Sequence, residues 1–131
     1  MKTQVDLIIH LIQNMDIDMI NDILDNKRTY QDFEKWKFVQ LLNIVFEEFA
    51  EEGNTFLNVY SGKCTNLECP HCNNGYIFVG NKSFNRIGFI INQEDGIVTD
   101  ILECKNLKSD KPIPGRLAGI IYLDKNRAAS I

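Results

Sequence analysis

The apolar periodicity of this chain changes once, and that change fixes the class of fold. Through residues 5–49 apolar side chains return every three or four positions, whereas from Asn54 onward they fall in short runs rich in Val, Ile, Phe and Tyr. The first pattern lays a stripe along one face of a helix, and the second fills the faces of a sheet. Helices gathered at one end of a chain, with strands after them, make an α+β fold rather than alternating βαβ units. With 131 residues, the chain is sized for one domain, 1–131. Its expected architecture is two N-terminal helices packed on one face of a mostly antiparallel sheet of about five strands.

Local signals place the elements. Thr3-Gln4-Val5-Asp6 is an acidic version of a capping box. Behind it Val5, Ile8, Ile9, Ile12, Met15, Met19, Ile20 and Ile23 keep helical spacing, which predicts one amphipathic helix to about Asp25. Thr29-Tyr30-Gln31-Asp32 offers a second N-cap, and Phe38, Leu41, Leu42, Val45 and Phe49 form the next stripe, with Gly53 placed to end that helix. Phe33, Trp36, Val39 and Ile44 lie off the stripe. So broad an apolar arc calls for the hollow of a sheet or an interface, a second copy of the chain being one candidate. Strands are expected at 55–61, 76–80, 86–93, 97–104 and 116–123, with Asp95-Gly96 as a tight hairpin turn. Residues 105–115, holding Pro112, Pro114 and Gly115, read as a loop.

In element order the chain resembles the cystatin-like and NTF2-like α+β rolls. The residues that carry the likeness are the helix ending Phe46-Glu47-Glu48-Phe49 and the meander after Tyr76. The resemblance implies helices lying in the hollow of a curved sheet, with room for a ligand pocket between the layers. The stretch from Cys69 through Gly75-Tyr76-Ile77-Phe78-Val79-Gly80-Asn81-Lys82-Ser83 is similar to small bacterial proteins of uncharacterised role, which implies no activity.

Chemistry concentrates in the connection at about 62–75. There Cys64-x4-Cys69-Pro70-His71-Cys72 brings three cysteines within nine residues. A Cys-x-x-Cys pair turns two sulfurs toward one point, and thiolates arranged as a tetrahedron are what zinc selects. The expected ligands are Cys64, Cys69, Cys72 and, from the strand region, Cys104, with His71 as the rival for the fourth place. In a simple meander Cys104 stands about 20 Å from the loop at a rise of about 3.3 Å per residue, so its use requires the chain to fold back across the sheet. Free thiols and a disulfide are the competing states of these cysteines. Cys-Pro-His-Cys also resembles the active-site tetrapeptide of thioredoxin-fold oxidants. That resemblance implies redox use of Cys69 and Cys72, but here the motif leads into a strand, without the helix N-terminus that lowers a thiol pKa.

Charge and hydropathy remove other classes. Residues 1–60 carry five basic and eleven acidic groups, residues 61–131 nine and seven; no basic field recruits nucleic acid. The apolar runs are too short to span a membrane, and Met1–Ile8 lacks an export signal, so a reducing cytoplasmic setting is expected. Gly75-x4-Gly80-Asn81-Lys82-Ser83 nearly spells a phosphate loop, but its flanks are strands and one residue is surplus. Glu47, Glu48, Glu51 and Glu52 read as a solvated acidic face, with a cation or basic-partner site or an acid–base pair as the functional alternative, and His10 reads as a satisfied, partly buried histidine. The expected role is a binding or interaction module, for a protein or small molecule, stabilised by a structural zinc. The alternatives are a small-molecule-binding or enzymatic roll with Asn58, Tyr60 or Asp100 in its pocket, and a thiol–disulfide protein.

Overall fold

The computed structural model of the protein describes residues 3–65, 74–114 and 119–123. Helix α1 (Gln4–Gln13) opens on the expected box, the Thr3 hydroxyl accepting the Asp6 N–H while the Asp6 carboxylate accepts the Thr3 N–H. The apolar stripe does not continue as one helix to Asp25. Met15 turns left-handed at φ 54°, and Asp16 caps a new helix, α2 (Ile17–Ile23), by accepting the Met19 N–H. Asn14 also bonds back to the His10 carbonyl, so short polar side chains competing for local backbone groups break the helix here.

The second predicted cap is not used either. Residues 29–34 form a two-stranded hairpin, β1 (Thr29–Tyr30) against β2 (Phe33–Glu34), with Gln31 and Asp32 both at positive φ. Helix α3 (Lys35–Glu51) starts only after it and stops where Gly53, at φ 89°, leaves the helical region. A tertiary tie explains the hairpin: the Gln31 N–H donates to the Asp100 carboxylate at 2.9 Å, and the Gln31 side-chain oxygen accepts the Glu103 N–H at 2.6 Å.

The main sheet runs β6-β5-β4-β3-β7, with every neighbour antiparallel. Its strands are β3 (Leu57–Cys64), β4 (Gly75–Gly80), β5 (Arg86–Glu94), β6 (Ile97–Glu103) and β7 (Leu107–Ser109). The chain is therefore α+β with a five-stranded antiparallel sheet. The fifth strand is not 116–123 but β7, inside the stretch expected to be loop. Residues 116–118 lie outside the described residues, and Ile120 makes a single parallel bridge to Arg86.

Asp95 and Gly96, at φ 53° and 81°, build the expected turn, and Glu94 pairs with Ile97. A bulge between Asn92 and Gln93 then shifts the register by one. It reconciles Val98 and Ile101, which are three residues apart and would face opposite ways in a regular strand, with burial of both. It also sets Cys104 opposite Gly88, whose carbonyl accepts the Cys104 N–H, rather than opposite Ile87.

Helices and sheet enclose one core, built from residues such as Ile8, Ile12, Phe38, Phe49, Leu57, Phe78, Ile87 and Phe89. On the other face of β4 and β5, Ile77, Val79 and Ile90 are buried as well. Asn54, 4% exposed, joins α3 to the β4–β5 turn: its amide donates to the Phe49 carbonyl and the Ser83 hydroxyl and accepts the N–H groups of Lys82 and Ser83.

Asn54→Ala strands these buried groups and is expected to cost about 3 kcal/mol, read as a lower urea midpoint with an unchanged m-value. Tyr30, 1% exposed, accepts the Asp25 N–H at 3.0 Å, and burial pushes its phenol above the ordinary value. Because the folded pKa is raised, this preference is fully present below the unfolded value near 10 and is lost as pH rises through the folded one. Tyr30→Phe should cost about 1 kcal/mol at neutral pH. Urea melts at about pH 10.5 should show a smaller gap between wild type and variant.

Candidate functional site

After β6 the chain reaches the far edge of the sheet by lying across its second face. Residues 104–106 lead from β6 at one edge to β7 at the other, across the face of β5, β4 and β3. Three glycines on that face permit the approach. A Cβ on Gly88 would stand 2.6 Å from the Cys104 carbonyl oxygen. One on Gly75 would stand 2.5 Å from Leu107 Cδ2, and one on Gly62 2.8 Å from the Lys108 carbonyl oxygen. A side chain at Gly88 or Gly62 would have to move the backbone above it, and one at Gly75 would have to displace the Leu107 side chain. The segment is held by Cys104 N–H to Gly88, Thr65 N–H to Asn106, and the pairing of Cys64 with Leu107, Lys63 with Lys108 and Gly62 with Ser109.

This crossing removes the separation a simple meander would impose on the cysteines. Cys64, at the end of β3, and Cys104, just past β6, are forty positions apart in sequence, yet their Sγ atoms are 3.8 Å apart and both residues are half-buried. That spacing is well beyond the roughly 2.05 Å of a disulfide. Thiolates about 2.3 Å from one zinc, in a tetrahedron, are themselves about 3.8 Å apart, so the pair suits a shared ion without rearrangement. Cys69, His71 and Cys72 lie outside the described residues, and among the described residues no group of three or more His, Cys, Asp or Glu side chains is placed to hold a metal. No described helix is long and apolar enough to cross a membrane.

The other sequence candidates have structural work. Glu52 accepts from the Ser83 hydroxyl and the Asn85 amide, and Glu47 accepts from Asn43. The near phosphate loop is a turn fastened to Asn54, with Asn81 accepting the N–H groups of Thr55 and Phe56. His10 is not partly buried, as expected, but exposed beside Asn14, and Asp100 accepts the N–H groups of Gln31 and Ile101. Asn58 is exposed and Tyr60 half-exposed on β3. Between helices and sheet, where a roll holds its pocket, aromatic and aliphatic side chains fill the space. A cleft of about 550 Å³ instead lies on the second face, beneath the crossing segment. Sequence reading missed it, although glycines at 62, 75 and 88 in otherwise β-rich runs were a signal of close backbone approach.

Set against known proteins, the chain matches no family model, no curated protein and no solved structure.

The crossing should be sensitive to a single methyl group. Gly88→Ala is expected to lower stability by about 2 kcal/mol through overpacking and to speed alkylation of Cys104, measured by mass spectrometry after a timed iodoacetamide pulse. Ala on Gly53 is strained by the left-handed backbone at φ 89° but touches nothing within 4 Å; it is the control for lost stability remote from the crossing, and should leave that alkylation rate unchanged.

Proposed function

We propose that the protein is a small binding or interaction module whose Cys-rich loop is fastened to the sheet by a structural zinc. Cys64 and Cys104 supply two thiolates, and Cys69 and Cys72 the other two. The observation that carries this reading is the 3.8 Å spacing of the Cys64 and Cys104 sulfurs, contributed by the end of β3 and the exit of β6, which are not neighbours in the sheet. Packing alone has no need of two cysteines meeting at a point from which a Cys-x-x-Cys segment departs.

In this reading the zinc does no chemistry on a substrate. It cross-links the end of β3, the exit of β6 and the loop, where a three-residue strand and a handful of hydrogen bonds are otherwise the fastening. Trp36, 64% exposed, and Ile44, 49% exposed, stand two turns apart on α3 and offer the apolar surface on which a protein partner or a second copy would sit.

Untagged protein should carry about one zinc per chain, with its cysteines protected from thiol titration. Cys64→Ser and Cys104→Ser should each lose the metal and lower Tm by about 10 °C, while His71→Ala retains both metal and Tm. Metal-free protein with readily titrating thiols and an unchanged Tm in chelator would overturn the proposal. A Cys69–Cys72 pair that instead turns over a disulfide substrate would assign the motif to redox chemistry.

A further inference from the structure

Helix α3 turns one face to the core and the opposite face to solvent. Phe38, Leu42, Val45 and Phe49 are buried, whereas Trp36, Gln40, Ile44, Glu47 and Glu51, spaced by three or four residues, are all exposed. Trp36 and Ile44 sit to either side of Gln40, about 12 Å apart at a rise of about 1.5 Å per residue. Both belong to the few large apolar side chains that the fold leaves in water. The indole is not loose: its N–H donates to the Glu34 carboxylate at 2.6 Å, which lowers the entropy lost when the ring is covered.

The charges on this helix run against its own dipole. Lys35 and Lys37 lie in the first turn, which holds no acid, while Glu47, Glu48 and Glu51 crowd the C-terminal end, whose last turn holds no base. Glu34 at the N-cap offsets one ammonium, and Lys27, which shares a cleft with Lys35 and Trp36, restores the surplus. Positive charge at a helix N-terminus and negative charge at its C-terminus are each unfavourable. An antiparallel neighbour of the same sequence answers both ends at once, because it lays a basic end beside an acidic one and aligns the two dipoles in opposition.

We infer that this face of α3 is the seam of a two-fold homodimer, in which α3 packs antiparallel against α3 of a second copy with the axis beside Gln40. Such an interface is isologous: Trp36 of each chain comes to the level of Ile44 in the other, and Lys37 faces the end that carries Glu47. A parallel pair would set like charges together instead. The seam is one helix wide, so the dimer is weak and reversible. The inference rests on the reading of the protein as an interaction module and names its partner; it is separate from the zinc, since α3 contributes no cysteine.

The test uses the full-length protein as purified, with its metal content recorded, in sedimentation runs from about 1 µM to about 1 mM. A reversible rise from one chain to two is expected, moved to higher protein concentration by added salt. Trp36 is the single tryptophan of the chain, so its emission should shift to the blue along the same concentration curve. Trp36→Ala and Ile44→Asp should each weaken the dimer about tenfold or more. Lys37→Glu and Glu47→Lys should each weaken it about fivefold, since symmetry counts every pair twice. Both reversals in one chain should return the affinity to within about twofold of wild type, a recovery that antiparallel pairing gives and parallel pairing does not. Circular dichroism of each variant separates lost association from lost fold. A monomer at every concentration would overturn the inference and leave Trp36 and Ile44 to a different partner. A dimer indifferent to Trp36→Ala and Ile44→Asp, or a charge swap without recovery, would overturn it as well. Metal content measured on the same samples keeps its failure distinct from that of the zinc proposal.

Discussion

Everything on the second face of this protein depends on the close approach of residues 104–109 to Gly62, Gly75 and Gly88, where no Cβ stands between. A strand pair is held about 4.8 Å apart by its hydrogen bonds, but a chain crossing over a sheet is normally kept about 10 Å away by the side chains between. Removing those side chains at three neighbouring positions lets residues 104–109 drop onto the sheet, with contacts that a methyl group would abolish. The cost is conformational: glycine in a strand loses more freedom on folding than any other residue. That cost is offset by the ladder of β7 on β3 and by burial of Ile77, Val79 and Ile90 on a face that would otherwise be wet. The meeting of Cys64 with Cys104 follows from this one crossing.

The opposite edge poses a different problem. Strand β6 ends the sheet, and an open edge invites pairing with another chain. Here its outward groups are met by side chains from the N-terminal layer. Gln4 accepts the Val98 N–H at 2.7 Å, Gln31 accepts the Glu103 N–H, and the Val5 N–H donates to the Gly96 carbonyl. The hairpin of β1 and β2 is therefore an edge guard as well as a connection. This role accounts for two left-handed non-glycine residues in its turn, a strain that local propensity alone would not have chosen.

Those two features mark the boundary of what the sequence makes legible. The change of period at Gly53, the Thr3–Asp6 box, the stop at Gly53 and the Asp95-Gly96 turn are local, and local chemistry decided them as read. The break at Met15 was also local, in Asn14 and Asp16, but an unbroken apolar stripe outweighed it. By contrast, the hairpin at 29–34 forms because Gln31 finds Asp100 and Glu103 some seventy residues away, and no window of sequence contains that partner. The bulge in β5–β6 had a trace in the three-residue spacing of Val98 and Ile101. Burial on both faces had another, in the unbroken apolar runs Tyr76–Val79 and Phe89–Ile91. For the candidate site, residue types pointed to Cys104 while meander geometry pointed away from it. The meander of β3 to β6 held, and what the geometry lacked was β7, which brings the chain from β6 back onto β3.

The short crossing explains why the proposed metal would matter here. Strand β7 has three residues, and its central one, Lys108, is exposed, so little apolar burial holds it against the entropy of ordering its own backbone. A segment fastened so lightly is stabilised in proportion to whatever binds its docked form and not its released form. Cys104 begins the segment, so the proposed zinc would hold its docked form at the start and spare β7 part of the work of ordering the crossing. The glycines and the metal would then act on one step: the glycines make room for the segment on the sheet, and the metal would fix it there.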